Sequence, residues 1–395
     1  MTKYLLALSL FILSTNIYAA TPVACVGTIV LPGSSALQIQ AKVNASPIGA
    51  TFCFSPGSYK FDRYVVLKEG TKFICPMRRT CIIDGGLKYK GALTGAYGTK
   101  KQLIQGFVVQ NFISDGSWPI ACLQVRALGV MQDNEVSGCL VGIDMYDGAT
   151  ARSNWLHHNA RYGLSGGPGN DMLIESNEIN NNNTARFDPN DNASGTKIIG
   201  GRTIGTDRLT WRNNYVHDNY GQGIWCDGNC KNVVYEGNVI TDNTGAGIDH
   251  EISWSAVIRN NYVARNMSSE KGLNKSCYWG AQIAVNNSQD VEMYGNTIEA
   301  DGTNAICLSS MYRNDAAAFP QAMGNSNIHD NIIRMKAGAH AGLVVDNPST
   351  GRNIWLNNKY QTNPTTAAYW TQGGNKTFGQ WKAIPQDAGA TNVIW

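Results

Sequence analysis

The chain has 395 residues, of which 15% are charged, and its formal net charge is +3. It has no basic run suited to nucleic acid, and no apolar stretch after residue 20 reaches the roughly 20 residues that span a bilayer. These features argue against a nucleic-acid-binding or membrane-spanning protein, and the 42 glycines and 12 prolines favour a fold with many corners.

Residues 1–20 have the pattern of a secretory signal peptide. Lys3 supplies the positive start, Leu5–Ile12 the apolar run, and Ile17–Ala20 a cleavage site of small residues. We therefore expect an exported protein, secreted or periplasmic, whose mature chain begins near Ala20 or Thr21.

Residues 21–100 are predicted to form an N-terminal cap that merges into the first coils. Ala36–Val43 has the pattern of a short amphipathic helix, and Thr51–Phe54, Tyr64–Leu67 and Thr71–Ile74 have the pattern of strands. Such a cap is expected because a stack of repeated coils must cover its open apolar end.

Residues 101–360 are predicted to form the repeat body, because one asparagine-led phrase recurs along them. Its regular copies lie 20 to 24 residues apart, a period typical of solenoids with short strands. The recurring residues are Asn134, Asn154, Asn177, Asn214, Asn238, Asn261, Asn296, Asn331 and Asn358. Residues 361–395 lose the repeat and are predicted to form a C-terminal cap.

Ten cysteines in an exported chain favour disulfides over metal ligands or redox thiols. Cys226 and Cys230 have the spacing of a zinc ligand pair, but no second pair follows them. The expected disulfides are Cys25–Cys53, Cys75–Cys81, Cys122–Cys139, Cys226–Cys230 and Cys277–Cys307.

The repeat resembles the right-handed parallel β-helix proteins of the pectate-lyase-like superfamily. The phrases Phe54–Tyr59, Ile83–Gly86 and Gly245–Ser253 carry this resemblance together with the asparagine period. It implies an all-β fold, a single right-handed parallel β-helix with an N-terminal cap helix and a C-terminal cap. That superfamily includes lyases, hydrolases, uronan epimerases and non-catalytic adhesins, so the resemblance leaves the activity open.

Stacking equivalent positions predicts which side chains lie together on the outer face. Inward isoleucine, leucine or phenylalanine residues at 143, 164, 187, 224 and 248 fix the alternation. The first predicted outward column is Asp144, Ser165, Asp188, Trp225, Asp249, Ala284 and Cys307, and the second is Tyr146, Gly167, Asn190, Asp227, Glu251, Asn286 and Ser309.

Carboxylates concentrate in the middle of these columns. Asp227 and Glu251 are expected to be neighbours at one strand spacing, about 4.8 Å, where like charges raise one of the two pKa values. Paired carboxyls of unequal pKa are what hydrolysis of a glycosidic bond requires. Asp249 is expected to assist them, while a calcium site or an inert charged surface remain alternatives.

Two long insertions, Asn183–Gly201 and Met267–Gly280, are expected to wall a cleft beside the carboxylates. Lys197 is the cation nearest the predicted face, and it would position substrate or, when deprotonated, act as a lyase base. The residues expected to bind substrate are Trp225, Asp188, Asn190, Asn286, Trp279 and Arg202.

His250 allows two interpretations. Strict alternation buries it as a core histidine, whereas a local bulge would turn it outward beside Asp249 and Glu251. The run Asp249–Glu251 also resembles the Asp-Pro-His-Asp/Glu motif of β-helical mannuronan C5-epimerases, without the proline. In that case Lys197 or His250 would act at the α-carbon of a uronate.

The favoured hypothesis is therefore an exported enzyme that hydrolyses an extracellular or cell-envelope polysaccharide. The alternatives are a uronan lyase or C5-epimerase using Lys197 or His250, and a non-catalytic polysaccharide-binding or adhesin solenoid. No cofactor is indicated, although the oxygen-rich stretch Asn182–Asn192 leaves Ca²⁺ open. The sequence does not indicate the sugar, the linkage or the oligomeric state.

Overall fold

A computed structural model of the protein describes residues 22–113, 121–267, 280–310, 323–336, 353–362, 370–371, 374–383 and 387–394. These residues form short strands separated by tight corners, with two helices, one near each end. Among them, no helix has the length and apolar character needed to cross a membrane.

The first coils contain one helix and nine strands. In chain order they are β1 (Thr28–Val30), α1 (Ala36–Ala45), β2 (Thr51–Phe54), β3 (Gly57–Lys60), β4 (Val65–Leu67), β5 (Lys72–Ile74), β6 (Cys81–Asp84), β7 (Leu93–Gly95), β8 (Leu103–Gln105) and β9 (Phe107–Gln110).

The strands of the body follow the same rhythm. Those up to residue 217 are β10 (Ala121–Gln124), β11 (Val130–Gln132), β12 (Glu135–Ser137), β13 (Val141–Met145), β14 (Thr150–Arg152), β15 (Trp155–His157), β16 (Tyr162–Gly166), β17 (Leu173–Glu175), β18 (Glu178–Asn180), β19 (Ser194–Ile199), β20 (Thr206–Asp207), β21 (Thr210–Arg212) and β22 (Tyr215–His217). Those that follow are β23 (Ile224–Asp227), β24 (Cys230–Lys231), β25 (Val233–Glu236), β26 (Val239–Thr241), β27 (Ile248–Glu251), β28 (Ala256–Arg259), β29 (Tyr262–Ala264), β30 (Ala281–Asn286), β31 (Val291–Tyr294), β32 (Thr297–Ala300), β33 (Asn304–Ser309), β34 (Asn327–His329) and β35 (Ile332–Met335).

The last part of the chain adds a small cap. Its elements are β36 (Ile354–Leu356), β37 (Lys359–Thr362), β38 (Trp370–Thr371), β39 (Asn375–Lys376), α2 (Phe378–Ala383) and β40 (Thr391–Ile394).

Three long parallel sheets run the length of the molecule, because each coil contributes one strand to each of them. Two sheets have 13 strands, from β1 to β36 and from β3 to β40. The third, which we call the ten-stranded sheet, contains β4, β7, β10, β13, β16, β19, β23, β27, β30 and β33. The predicted parallel β-helix is therefore confirmed.

Helix α1 closes the N-terminal end of the stack, as expected. Ser35 begins it with a capping box, in which the Ser35 hydroxyl accepts from the Gln38 amide and the Gln38 side chain accepts from the Ser35 amide. Its buried face consists of Ala36, Ile39 and Val43. These side chains cover the core that the first coil would otherwise expose to water.

The recurring asparagines form a buried ladder at one corner of the coils. The side-chain amide of Asn238, for example, donates to the Trp211 carbonyl and to Asn261 Oδ1, each at 3.0 Å. Asn261 Oδ1 also accepts from the Asn238 backbone amide at 2.9 Å. The same pattern repeats from Asn134 to Asn358, which donates to Asp387 Oδ1 at 3.1 Å.

Disulfides link residues both within single coils and between neighbouring coils. Four of the expected pairs are present, namely Cys25–Cys53, Cys75–Cys81, Cys122–Cys139 and Cys226–Cys230. The zinc alternative for Cys226 and Cys230 is therefore wrong. Cys307 is also disulfide-bonded, and its expected partner Cys277 lies outside the described residues.

Candidate functional site

The strand register brings the carboxylates together on the outer face of the ten-stranded sheet. In one column Asp144, Ser165 and Lys197 are successive partners, and Trp225 pairs with Asp249. The pairing of Ile198 with Cys226 places Lys197 next to Trp225. The neighbouring column reads Ile199, Asp227, Glu251, Asn286 and Ser309.

The predicted positions of Asp188 and Asn190 are wrong. Both precede β19, and Lys197 and Ile199 occupy the column positions expected for them. Phe187, expected inside, is 40% exposed. The chain turns here because Asn183 Oδ1 accepts from the Phe187 amide, and because Pro189 has no amide hydrogen for a strand ladder. The coil therefore returns to the sheet several residues later than the average period suggests.

Lys197 lies in the centre of the site. Its side chain is only 6% exposed, and Nζ forms an ion pair with Asp227 Oδ2 at 2.8 Å. Nζ also donates to the Asp191 carbonyl at 2.7 Å, which anchors the preceding loop against the sheet. Because Lys197 Nζ contacts both this carboxylate and the Asp191 carbonyl, it holds the Asp227 side chain in one orientation.

Trp225 is not the open sugar platform that the sequence suggested. The residue is 1% exposed, and Lys197 Nζ lies 3.4 Å from the centre of its ring. Its indole Nε1 donates to Glu251 Oε2 at 3.0 Å. Trp225 therefore connects the lysine and Glu251 as part of the floor of the site.

Asp249 is the most strongly perturbed group of the cluster. It is fully buried, and this burial, with the nearby charges of Glu251 and Asp227, raises its pKa well above the ordinary value. Asn286 Nδ2 donates to its Oδ1 at 2.9 Å, while Oδ2 has no hydrogen-bond partner in the described part of the chain. The surroundings of Asp249 thus favour its protonated form, and its second oxygen is available to hold the proton.

Asn286 and Ser309 extend the polar floor beyond the carboxylates. Asn286 is fully buried, and its Oδ1 accepts from the Ser309 hydroxyl at 2.5 Å. The expected position of Asn286 on this face is therefore confirmed. Its amide is committed to Asp249, so its direct effect is to orient that carboxyl.

His250 points into the core rather than onto the face. Strand β27 keeps its register with β23 and β30, so no bulge turns the ring outward. Nε2 lies 2.7 Å from the Trp254 carbonyl and must donate to it, while Nδ1 accepts from the Tyr235 hydroxyl at 3.1 Å. Burial lowers the pKa of His250 to about 4. The outward alternative, with His250 as a catalytic base, is therefore wrong.

The last two residues predicted to bind substrate are Arg202 and Trp279. Arg202 lies in the exposed turn that follows β19. Trp279 and most of the second insertion, Met267–Gly280, lie outside the described residues. Sequence reasoning missed the Asp191 carbonyl, because a backbone acceptor leaves no signal in the residue type. It also missed Ile199, which is 45% exposed beside Asp227.

The described residues contain no group of three or more histidine, cysteine, aspartate or glutamate side chains arranged to hold a metal ion. Within the Asn182–Asn192 stretch, side chains bond to the loop and to neighbouring coils, as Asn183 does to the Phe187 carbonyl at 2.9 Å and to the Tyr220 carbonyl at 3.0 Å. The site is therefore defined by its carboxyls, one lysine and one tryptophan.

Comparisons with solved structures agree with this architecture. The A-module of the mannuronan C-5 epimerase AlgE6 from Azotobacter vinelandii is 17% identical, covers 94% of this chain and 97% of its own, and has a TM-score of 0.67. The catalytic unit of a GH87 α-1,3-glucanase from Streptomyces thermodiastaticus is 12% identical, covers 95% and 71%, and has a TM-score of 0.60. At these identities the likeness concerns the fold alone.

None of the curated proteins matches the sequence. The family described as "right handed beta helix region" matches residues 107–277 and 202–380, which together make up more than half of the chain. Three parallel sheets, the buried asparagine ladder and this match lead to one conclusion: the chain belongs to the right-handed β-helix family.

Proposed function

We propose that this protein hydrolyses glycosidic bonds of an extended polysaccharide at the outer face of the ten-stranded sheet. One observation carries the proposal: a buried carboxyl with a raised pKa, Asp249, lies near a second carboxyl, Asp227, that is paired with a lysine at 2.8 Å. A carboxyl that favours its protonated form beside a second carboxyl in a different environment is the arrangement that glycoside hydrolysis uses.

The environments of the two groups assign their roles. Asp249 is the general acid: once bound substrate has uncovered its buried carboxyl, its proton passes to the glycosidic oxygen as the bond to the anomeric carbon breaks. Asp227, whose side chain is 23% exposed, is the base that takes a proton from the attacking water. Water is consumed, and the proton gained by Asp227 balances the one lost by Asp249. The sequence predicted Asp227 and Glu251 as the acid–base pair without assigning the acid, and this assignment pairs Asp227 with Asp249 instead.

The other residues of the site position this pair. Glu251 adds the negative charge that raises the pKa of Asp249, after the larger effect of burial. Trp225 holds Glu251 through its indole nitrogen, and Lys197 holds Asp227. The proton donor and the base are thus each maintained by neighbours on adjacent strands.

A polysaccharide is the substrate that this surface fits best. Parallel strands stacked along an axis give a long polar face rather than a closed pocket, and such a face suits a polymer. The structurally similar proteins named as a mannuronan epimerase and an α-1,3-glucanase support the same substrate class. A signal peptide at residues 1–20 would deliver the enzyme to such polymers outside the cytoplasm.

A uronan lyase or epimerase is the second candidate, and the Asp249–Asn286 pair favours it. A protonated carboxyl beside an amide would neutralise the carboxylate of a uronate and make its α-proton more acidic. Because His250 lies in the core, Lys197 is the candidate base for removing that α-proton among the residues that the structure describes. An elimination would leave a C=C bond in the product, which hydrolysis does not.

The test is a panel of soluble polymers, including mannuronan, alginate and α-1,3-glucan, incubated with wild type and the variants Asp249→Asn, Asp227→Asn and Glu251→Gln. New reducing ends and ultraviolet absorbance of an unsaturated product are followed together. We expect Asp249→Asn and Asp227→Asn to lower kcat by about 10²- to 10⁴-fold. Glu251→Gln should instead lower the pH at which Asp249 titrates in the rate profile.

Asp290→Asn is the matched control, since Asp290 is exposed and lies at a turn with a positive φ that asparagine also adopts. An unsaturated product from wild type would show that the reaction is elimination and not hydrolysis. Full turnover in both Asp249→Asn and Asp227→Asn would refute the assigned pair. Binding without turnover, unchanged in the variants, would make the protein a non-catalytic polysaccharide-binding solenoid.

A further inference from the structure

An exposed aromatic cluster lies on the same outer face, toward the N-terminal end of the stack. It consists of Tyr97, Arg126 and Tyr146, which we call the Tyr97 cluster. The Arg126 guanidinium carbon lies 5.9 Å from the centre of the Tyr97 ring and 4.9 Å from that of Tyr146. Tyr97 itself is 93% exposed. Packing therefore gives little reason for an aromatic side chain at this position.

Hydrogen bonds to residues of the sheet hold the Arg126 and Tyr146 side chains in place. Arg126 Nε donates to the Gly95 carbonyl at 3.2 Å, and the Tyr146 hydroxyl accepts from Gln124 Nε2 at 2.9 Å. Burial raises the pKa of Tyr146, as does the neighbouring Asp144, so its hydroxyl stays neutral. Tyr97 is thus an open ring beside two fixed partners.

A continuous polar floor joins the Tyr97 cluster to the carboxylates. Thr94 donates to Gln124 Oε1 at 3.2 Å, and Gln124 donates to Asp144 Oδ2 at 2.7 Å. Ser165 then donates to Asp144 Oδ1 at 2.8 Å, and Ser165 pairs in register with Lys197. The two sites therefore lie on the same side of one sheet, linked by a row of buried polar side chains.

One column of the sheet runs from the Tyr97 cluster to Asp227. Continuing the register places Arg126, Tyr146, Gly167, Ile199 and Asp227 at successive positions of one column. Four strand spacings correspond to about 19 Å between Arg126 and Asp227. Gly167 carries no side chain, so the column is open at that position, and the exposed Ile199 side chain is the apolar surface between Gly167 and Asp227.

We propose that the Tyr97 cluster is a distal subsite that binds a sugar ring of the polysaccharide chain whose bond is cleaved at Asp227 and Asp249. The apolar face of a pyranose ring stacks on Tyr97, while Arg126 and Tyr146 form the border of this binding surface. The polymer then lies along the axis of the coils, across Gly167. This inference rests on the proposed function, and it adds the direction and minimum length of the substrate.

The experiment compares wild type, Tyr97→Ala and Tyr97→Phe on the polymer that wild type cleaves and on its size-fractionated oligosaccharides. For chains long enough to span both sites, Tyr97→Ala should raise KM by about three- to tenfold with kcat unchanged. For oligosaccharides too short to span them, KM should not change. Tyr97→Phe keeps the ring and should behave as wild type on both.

Val26→Ala is the control, since Val26 is 91% exposed and precedes β1 in a different sheet. Equal KM values for wild type and Tyr97→Ala at every length would overturn the subsite, and so would an equal change for short and long substrates. If wild type cleaves no polymer, the subsite is tested instead by whether the same polymers slow the migration of the protein in a native gel. Retardation lost only in Tyr97→Ala would support the subsite while the hydrolase proposal fails. A wild type that no polymer retards would overturn the subsite as well.

Discussion

Asp249 and His250 are consecutive residues, yet burial has opposite consequences for them. The carboxyl lies on the outer side of β27 among other carboxylates, and its pKa is raised. The imidazole lies on the inner side, bonded to Tyr235 and Trp254, and its pKa is lowered to about 4. In both cases burial is the largest cause, and it favours the neutral form.

The raised pKa of Asp249 predicts a conflict between stability and activity. A carboxyl whose folded pKa lies above its unfolded value stabilises the fold fully below the unfolded pKa, and loses that contribution as pH rises through the folded pKa. Asp249→Asn removes this titration and keeps an oxygen to accept from Asn286. We therefore expect its free energy of unfolding to exceed that of wild type at pH 8 and to match it near pH 3.

Urea unfolding of both proteins across this pH range measures the difference. A variant that is less stable than wild type at pH 8 would contradict the assignment of Asp249 as a buried neutral carboxyl. Combined with lost turnover, the expected gain would identify a residue kept for chemistry at the expense of stability.

At this scale the sequence predicted the site in part. Strict alternation correctly placed Asp227, Asp249 and Glu251 outside and favoured a buried His250, because side chains of a strand alternate between faces. It failed for Asp188 and Asn190, since an average period cannot locate the strand within a long coil. Nor could it show that Trp225 is covered, because coverage depends on loops rather than on strand register.

The asparagine ladder is the element that fixes the corner of each coil. A central member such as Asn238 accepts from the backbone amide and the side chain of Asn214, and donates to Trp211 and Asn261. An outer column offers a contrast, in which Glu175 pairs with Arg152 and Arg212 at the surface. Buried hydrogen bonds left unmade cost more than surface ion pairs contribute.

Asn238→Ala should therefore destabilise the protein by at least about 3 kcal/mol, because several buried groups lose their partners at once. Glu175→Gln should cost less than about 1 kcal/mol. The midpoints of urea unfolding, compared at equal slope, check both values. Similar small losses for the two variants would mean that water or local rearrangement replaces the ladder bonds.

The recurrence of these asparagines is also why the fold was predictable from one sequence. An amide side chain offers both a donor and an acceptor, so a single residue type completes each corner and repeats at every coil. The lengths of the insertions carry no such signal. The stacking of the coils was therefore predictable from the sequence, whereas the loops that border the site were not.

At the scale of the whole molecule, stability requires both ends of the stack to be closed. At the C-terminal end, Asp387 accepts from Asn358, from the Tyr360 hydroxyl at 2.5 Å and from Trp381 Nε1 at 3.3 Å. Strand β40 pairs with β37 and covers its edge. Removing this segment would expose an unpaired strand and the last unsatisfied amide of the ladder.

We expect deletion of residues 387–395 to cause self-association through the exposed end, seen as a rise in mass by light scattering and sedimentation. The point variant Asp387→Asn keeps β40 and should lose stability without associating. A truncated protein with the same mass distribution as the full chain would show that β40 is not needed to protect this end.

The ladder also has an electrical consequence. From Asn134 to Asn358, each Oδ1 accepts from the preceding coil while one amide hydrogen donates to the next, so nine side-chain carbonyl dipoles point the same way along the axis. Like the peptide units of a helix, aligned amides add up to a partial positive charge at the end toward which their hydrogens point. The carboxylate of Asp387 stands at that end. The stack of coils therefore has a dipole along its axis, and the carboxylate of Asp387 lies at the positive end of that dipole.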